Sequence, residues 1–158
     1  MARDVLGELV ELLALERIEE NLFRGQSQDL GWGAVFGGQV LGQALSAAAK
    51  TVPADRVVHS LHGYFLRPGD ATTPVVYLVD CIRDGRSFTT RRVVARQHGK
   101  AIFNMSASFQ MEEEAPDVAA VEPPTDLALP DDLPDEGWGR MLGRRRAHSE
   151  FGRESMWL

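Results

Sequence analysis

The chain has 158 residues, of which 44% are hydrophobic, so it is long and apolar enough to fill one ordinary core. Because the chain has a single cysteine, Cys81, it cannot form an internal disulfide or a cysteine-based metal cluster. Cys81 lies two residues after Val79, so strand alternation predicts that its side chain is buried and chemically inert. No apolar run reaches the roughly 18 to 20 residues that a membrane span requires. The acid-bearing start MARDVLGELVELL is unlike a basic signal peptide, so we expect neither export nor membrane insertion.

The net charge of −6 comes from one segment of the chain. Residues 112–136 hold ten acids, no base and five prolines, whereas residues 1–111 hold twelve bases and eleven acids. The sequence therefore predicts a globular domain over residues 1–110, an acidic Pro-rich linker over 111–136 and a poorly ordered basic tail over 137–158. Because a domain with a net charge of +1 attracts a polyanion weakly, we expect no nucleic-acid partner.

Two helices are predicted in the first third of the chain. Apolar residues recur at helical spacing from Leu6 to Leu13, which predicts a short amphipathic helix, and residues 18–25 favour a strand. Residues 37–50, GGQVLGQALSAAAK, combine helical spacing with small side chains and carry no charge before the final lysine. This composition predicts a central helix that is buried on most sides and has ended by Pro53.

The apolar pattern changes to a period of two from Val57 onward. Four runs rich in β-branched and aromatic residues predict strands, at residues 57–67, 75–83, 87–97 and 101–110. The pairs Asp84-Gly85 and His98-Gly99 separate the last three runs and are typical of hairpin turns with positive φ. Three consecutive antiparallel strands are therefore expected, each long enough to curl around the helix.

Three motifs follow one another in the chain: LFRGQSQDLGWGAVFGGQVLGQAL, VVHSLHGYFLRPGD and RDGRSFTTRRVVARQHGKAIFNMSASFQ. Over residues 9–110 they resemble closely the N-terminal hotdog domain of the acyl-CoA thioesterase II (TesB-like) family. The resemblance implies an α+β hotdog fold, in which a curved antiparallel sheet wraps a long central helix. It also implies hydrolysis of acyl-CoA to a free fatty acid and CoA, with no metal and no organic cofactor.

The chain departs from this family in length and in one chemical group. Members of the family that it resembles are about twice as long, and their aspartate, hydroxyl residue and glutamine that orient the attacking water lie in a second hotdog. Here the predicted central helix contains no acid between Gly37 and Lys50, so it cannot supply a carboxylate base.

Two interpretations of this departure stay open. The chain is an acyl-CoA thioesterase or one half of one, or it is a non-catalytic hotdog that binds acyl-CoA or serves as an assembly module. Hotdog dehydratase chemistry is disfavoured because no histidine has a helix acid nearby.

The predicted start of the central helix is the first candidate site. Backbone N–H groups near Gly37, Gly38 and Gln39 lack helical acceptors, and the positive end of the helix dipole lies there. We expect Gly38 and Gln39 to stabilise the developing oxyanion of a thioester, and Phe36 and Gly37 to contact substrate. The alternative is that the glycines only permit a tight helix entry and close packing.

The two histidines of the HSLH motif are the second candidates. Strand alternation places His59 on the inward face with Leu61 and Phe65, and His62 on the opposite face. We predict His59 as a catalytic residue and His62 as a substrate contact, against the alternative of hydrogen-bonded structural histidines. The acids and histidines show no ligand spacing, so no metal site is predicted.

An arginine-rich hairpin is the third candidate, with arginines at positions 83, 86, 91, 92 and 96. The DGRSF turn is the preferred phosphate contact for CoA, through Arg86, Ser87 and Phe88. Solvated strand-face charges are the favoured interpretation for Arg92 and Arg96.

A hotdog sheet exposes an edge unless another hotdog continues it, so we expect a homodimer or pairing with a partner chain. The terminal MWL is not a peroxisomal signal of the S-K-L type, so a cytoplasmic location is expected.

Overall fold

The computed structural model describes the backbone of residues 5–31, 33–121, 125–129, 132–133, 145–148 and 154–157, with side chains for all of these except Val5 and the last two ranges. Contacts divide the chain into two units, Met1–Glu113 and Glu114–Leu158. No helix within the described ranges is long and apolar enough to cross a membrane.

The first unit opens with a helix and a small hairpin. Helix α1 spans Val5–Leu13, as predicted. The segment predicted as one strand is instead two strands, β1 (Glu16–Glu19) and β2 (Leu22–Gly25), which pair antiparallel. Asn21 makes the turn with a φ of 59°, a left-handed conformation that asparagine tolerates better than most residues. The one-strand prediction was wrong because no glycine or proline marks this turn.

The predicted central helix is α2, Gly37–Ala49. Only Gly38 and Ala49 are exposed within it, which confirms the prediction of a helix buried on most sides. Small residues permit this burial, since three of its alanines have no exposed surface and sit directly against the sheet. The C-terminal cap is Lys50, whose backbone N–H donates to the carbonyl oxygen of Ser46.

Four long strands complete the unit: β3 (Arg56–Phe65), β4 (Val75–Asp84), β5 (Phe88–Gln97) and β6 (Lys100–Met111). They join the first hairpin in a six-stranded sheet of order β1-β2-β4-β5-β6-β3, with antiparallel pairing throughout. The prediction of three consecutive antiparallel strands is therefore confirmed for β4, β5 and β6. Strand β3 lies at one edge of the sheet, paired on one side only with β6.

Because apolar and polar side chains alternate along the strands, the two faces of the sheet differ. The inner face packs on α2 and is apolar, with Tyr77, Val93, Phe103 and Phe109 buried there among others. Each such side chain contributes about 1.5 to 3 kcal/mol relative to an exposed position. The outer face points away from α2 and carries exposed polar residues such as Arg92.

The two predicted turns differ from each other. His98 and Gly99 have φ values of 48° and 72°, as the turn residues predicted. Gly85 does not have a positive φ, and its turn is three residues long, with the Gly85 N–H bonded to the Phe88 carbonyl at 2.9 Å. Glycine is required at this position because a Cβ there would lie 2.7 Å from the Phe88 oxygen.

The second unit contains one described hairpin. Strands β7 (Arg145–His148) and β8 (Glu154–Trp157) pair antiparallel, within the segment for which we predict a poorly ordered basic tail. The remainder of that tail and parts of the predicted linker lie outside the described residues.

Candidate functional site

The start of α2 presents two backbone donors. Phe36 precedes the helix with φ of −64° and ψ of 130° and offers no side-chain cap. Its carbonyl oxygen accepts from the N–H groups of Gln39 at 3.0 Å and Val40 at 3.3 Å. The N–H groups of Gly37 and Gly38 have no acceptor among the described residues. They therefore lie, unsatisfied, at the positive end of the helix dipole.

Two aromatic rings lie against these glycines. The ring of Phe36 covers Gly38 so closely that a Cβ at that position would overlap its edge. A Cβ on Gly37 would lie 3.0 Å from Cζ of Phe65. The glycines thus serve close packing, which was the alternative interpretation, while their N–H groups stay available as donors.

A cleft of about 400 Å³ opens beside this helix start. Several apolar side chains line it, Val35, Val40, Phe65, Ile102 and Phe103 among them, but its surface is about as polar as it is apolar, and Gly37 and Arg67 also line it. The rings of Phe65 and Phe103 lie 4.8 Å apart. Clefts of this size accommodate small ligands. The arrangement can therefore hold part of a ligand beside Gly37, whose N–H has no acceptor among the described residues, whereas Gly38 does not line the cleft.

The cleft wall around Gly69 is held by a carboxylate. Asp70 accepts from the hydroxyl of Thr72 at 2.6 Å, from its N–H at 2.8 Å, and from Thr73, and it contacts Nε2 of His98 at 2.9 Å. These hydrogen bonds, those of Thr72 first, hold the pKa of Asp70 well below its usual range. The carboxylate acts as a turn cap, next to the glycine that lines the cleft.

The side chain of Gln39 does not face the cleft. It is 5% exposed and its amide donates to the Gln26 carbonyl at 3.0 Å and accepts from the Gln28 N–H at 3.3 Å. Both ends of this amide are therefore occupied in the interior. The catalytic role predicted for Gln39 stays a prediction, and the structure gives its side chain a structural role.

A second buried glutamine, Gln43, was not predicted from the sequence. Gln43, one helical turn after Gln39, donates to the carbonyls of Leu12 at 2.6 Å and Gln26 at 2.9 Å and accepts from the Tyr77 hydroxyl at 2.7 Å. Burial raises the pKa of Tyr77 above its usual range, so the phenol stays protonated and can donate. The four-residue spacing of two polar residues on an otherwise small, apolar helix was the available signal.

The face predicted for His59 was wrong. A bulge between Val58 and Ser60 interrupts the alternation of β3 and turns His59 to the outer face, where its Nε2 lies 2.8 Å from Oγ of Ser108. Its ring packs on Phe88 at a centroid distance of 5.6 Å. His62 is on the same outer face, 4.7 Å from the ring of Tyr64. His59 has a hydrogen-bond partner, as the structural alternative expected, and the roles predicted for both histidines stay predictions.

The position predicted for Cys81 was also wrong, because its thiol is exposed. Cys81 pairs with the buried Arg91 and so keeps the face of Val79, but it borders an open cleft with Thr51 and Val52.

The predicted arginine cluster divides into separate contacts. Arg91 is 2% exposed, and all five of its N–H donors have acceptors, including Asp84 at 2.6 Å and Thr51 at 2.8 Å. Arg92 pairs with Asp80 at 2.7 Å, and Arg96 donates to the Gly99 carbonyl at 2.6 Å. Both of these side chains are exposed, as the solvated interpretation expected.

The β4–β5 turn lies near the opposite end of α2 from the cleft. Arg91 ties Asp84, which precedes the turn, to Thr51, which follows the helix. A helix of 13 residues is about 20 Å long. The predicted substrate contacts therefore form two groups, with Phe36 and Gly37 at the helix start and residues 86–88 near its end.

The domain has the hotdog architecture: an antiparallel sheet packs on one helix of small residues, and free backbone N–H donors lie at the start of that helix. Residues 27–110 match the family described as "Acyl-CoA thioesterase N-terminal domain". The chain belongs to this family, which confirms the resemblance seen in the sequence.

Known relatives agree with this assignment. The chain is 47% identical over 133 residues to "Acyl-CoA thioesterase 2" of Haemophilus influenzae, a match that covers 84% of this chain and 46% of that protein. It is 48% identical over 121 residues to human "Acyl-coenzyme A thioesterase 8", covering 73% of this chain and 38% of that one. The chain thus spans less than half the length of these curated relatives.

Solved structures show the same fold. The acyl-CoA thioesterase II TesB2 from Mycobacterium marinum superposes with a TM-score of 0.70 at 48% identity, over 80% of this chain and 47% of that one. A protein from Alicyclobacillus acidocaldarius described as having a hot dog fold gives a TM-score of 0.70 at 22% identity, over 88% of this chain and 55% of that one. The second likeness concerns the fold alone, and the predicted hotdog architecture is confirmed.

Proposed function

We propose that this chain is an acyl-CoA thioesterase, or one half of such an enzyme, that hydrolyses acyl-CoA to a free fatty acid and CoA. The observation that carries the proposal is a cleft of about 400 Å³ that is lined by Gly37, whose N–H has no acceptor among the described residues, with the equally free N–H of Gly38 next along the helix. Membership in the thioesterase family supplies the substrate class.

The chemistry requires stabilisation of a negative oxygen. Water attacks the thioester carbonyl carbon, the carbonyl oxygen gains charge, and the N–H groups of Gly37 and Gly38 donate to it. The C–S bond then breaks, and CoA leaves as a thiolate that takes up a proton. Losing one such donor in other enzymes raises the barrier by about 2.7 to 4 kcal/mol. The acyl chain would lie in the cleft, between Val35 and Phe103.

A general base for the attacking water is not supplied by α2, which has no acid between Gly37 and Lys50. We propose that a second hotdog supplies it, either from another copy of this chain or from a partner chain. The exposed edge strand β3 is the surface for that pairing, since Val57, Val58 and Leu61 are 45%, 39% and 38% exposed along it. A cytoplasmic location remains a prediction.

Release of free CoA from octanoyl-CoA and palmitoyl-CoA, followed with a thiol reagent, tests the proposal. Turnover above the uncatalysed rate supports it, and Gly38→Val, which would force the ring of Phe36 aside and block the donors, is expected to abolish turnover. The absence of an acid from α2 favours the alternative of a non-catalytic acyl-CoA-binding module. Binding of acyl-CoA without turnover, by the native chain in its paired state, would establish that alternative.

A further inference from the structure

Arg67 is the only charged residue among the described residues that line the cleft at the start of α2. Its Nη1 donates to the carbonyl oxygen of Ala101 at 2.7 Å. A guanidinium carries five N–H donors, and the other four of Arg67 have no acceptor in the described structure. The cleft therefore has a positive group at its edge with unused hydrogen-bond donors.

Hydrogen bonds hold Arg67 beside the apolar part of the cleft. The N–H groups of Leu66 and Arg67 both donate to the carbonyl oxygen of Ile102, at 2.8 Å and 3.2 Å. The side chain of Arg67 then bonds to Ala101, the residue before Ile102. Ile102 is buried and lines the cleft. Because the backbone and the side chain of Arg67 are both tied to the start of β6, the guanidinium stays next to the cleft and does not extend freely into solvent.

No carboxylate in the described part of the chain neutralises Arg67. None of the described residues that line the cleft is an acid, and the guanidinium forms no ion pair with them. Asp70, three residues later in the sequence, accepts hydrogen bonds from Thr72 and Thr73 and contacts His98. This carboxylate is engaged by other groups, so the cleft keeps an uncompensated positive charge.

The aromatic wall of the cleft requires an apolar partner. The rings of Phe65 and Phe103 lie 4.8 Å apart, and Phe65 is 60% exposed whereas Phe103 is fully buried. A hydrocarbon chain against Phe65 would remove part of its ring from water, which is favourable. Gly37 lines the same cleft, and its N–H has no acceptor among the described residues. A ligand that satisfies all of these groups has an apolar chain and one negatively charged head that accepts hydrogen bonds.

We propose that the cleft binds a free fatty acid as its carboxylate, with the guanidinium of Arg67 as the charge partner and the alkyl chain against Phe65. An alkyl carboxyl group such as that of glutamate has a pKa of about 4.3, so the acid is an anion at neutral pH. The pairing of a carboxylate with a guanidinium is a charge-assisted hydrogen bond. Recognition of the carboxylate rests on the cleft alone.

In the proposed thioesterase, Arg67 would distinguish product from substrate. Hydrolysis joins the oxygen of water to the acyl carbon and breaks the C–S bond, and CoA leaves with the electron pair. One proton of the water goes to the CoA sulfur and the other to solvent, so a neutral thioester becomes a carboxylate. Arg67 attracts that carboxylate more strongly than the thioester. The fatty acid should therefore inhibit the enzyme as a retained product, a regulation that rests on the proposed function.

Calorimetric titration of the full chain at neutral pH with octanoate, and separately with octanol, tests the inference. The two ligands have alkyl chains of the same length and differ in charge. Arg67→Gln should raise the Kd of octanoate about tenfold, through loss of the charge-assisted contact, and leave that of octanol unchanged. Phe65→Ala removes a ring that both chains contact and should weaken both ligands.

Arg96→Gln is the matched control. Arg96 is also exposed and also donates to a backbone carbonyl, that of Gly99, but it does not line the cleft. Neither affinity should change in this variant. A loss of octanoate affinity as large as that in Arg67→Gln would show that the ligand responds to the net charge of the chain, and would count against the inference.

Because Arg67 is exposed, its substitution does not threaten folding. Absence of octanoate binding by the native chain overturns the inference, and so does an unchanged Kd of octanoate in Arg67→Gln. An equal loss of octanol affinity in that variant would show that Arg67 only supports the shape of the cleft, and also counts against it. Octanoate binding that depends on Arg67 in a chain without hydrolysis leaves the inference standing while the proposed activity fails. Hydrolysis of octanoyl-CoA that octanoate does not inhibit gives the reverse result.

Discussion

The ring of Phe65, at the end of the edge strand, lies directly against Gly37, the first residue of the central helix. A Cβ on Gly37 would lie 3.0 Å from Cζ of that ring, a separation tighter than ordinary van der Waals contact. Phe65 is nevertheless 60% exposed, because its other side faces the cleft. The edge strand, the helix start and the cleft therefore meet at one contact.

A double-mutant cycle measures this contact. Gly37→Ala alone should destabilise the chain by about 1 kcal/mol, since the ring must move. In a Phe65→Ala background the same change should be neutral or stabilising, because alanine is favoured over glycine in a helix by up to about 1 kcal/mol. Urea unfolding gives the four free energies of unfolding. Additive effects of the two substitutions would show that the ring does not press on the glycine.

Gln43 should matter more for stability than any exposed polar residue of the sheet. Gln43→Leu removes the acceptor of the buried Tyr77 hydroxyl and the donors to the carbonyls of Leu12 and Gln26, so we expect a loss of about 3 kcal/mol. Tyr77→Phe removes one of these bonds and should cost about 1 kcal/mol. Ser106→Ala, on the outer face, is the control and should stay within about 0.5 kcal/mol of the native chain. Equal unfolding midpoints for Gln43→Leu and Ser106→Ala would contradict the network.

The elements of the fold follow from periodicity, but the two strand irregularities do not. Residues 37–50 and the three runs after residue 75 have patterns that match one helix and three strands, and turn residues mark their ends. The bulges beside His59 and Cys81 insert one residue into an alternating pattern, and nothing in the local sequence signals them. The bulge at His59 is why that residue was placed on the wrong face. The bulge in β4 comes after Cys81, which still shares its face with Val79, so its thiol is exposed because it borders an open cleft and not because its face is reversed.

The candidate site was predictable at the helix start and less so at the turn. Glycines before a small-residue helix indicate free N–H donors whatever the tertiary packing. The Arg56 side chain donates to the carbonyls of residues 85–87, about 30 positions away in sequence, a contact that no local pattern predicts. Similarly, the cleft depends on Gly69, whose carbonyl accepts from the N–H of Val35 and which lies against both Val35 and Ile102, residues far apart in sequence.

Asp70 should stabilise the fold at neutral pH, and this stabilisation should be lost in acid. Its folded-state pKa is depressed by Thr72, His98 and Thr73, below the ordinary value of 3.8. The stabilisation is therefore fully present above about pH 4 to 5 and is lost as pH falls towards the folded-state pKa. Thermal melting between pH 2 and 7 should show Asp70→Asn below the native chain at neutral pH, with the two curves converging in acid. Asp80→Asn, an exposed surface pair, is the control, and a constant gap for Asp70→Asn at every pH would contradict the assignment.

The edge strand provides the test of pairing. Leu61 is 38% exposed on β3, and a lysine there would place a charge against the strand that continues the sheet. If pairing occurs through β3, Leu61→Lys should convert a dimer to a monomer in light scattering at micromolar concentration and abolish turnover, with a melting temperature near that of an isolated domain. Leu78→Lys is the matched control, since Leu78 is 39% exposed and pairs with strands on both sides, and it should leave the dimer intact. Dissociation by Leu78→Lys together with a persistent dimer for Leu61→Lys would place the partner on another surface of the sheet.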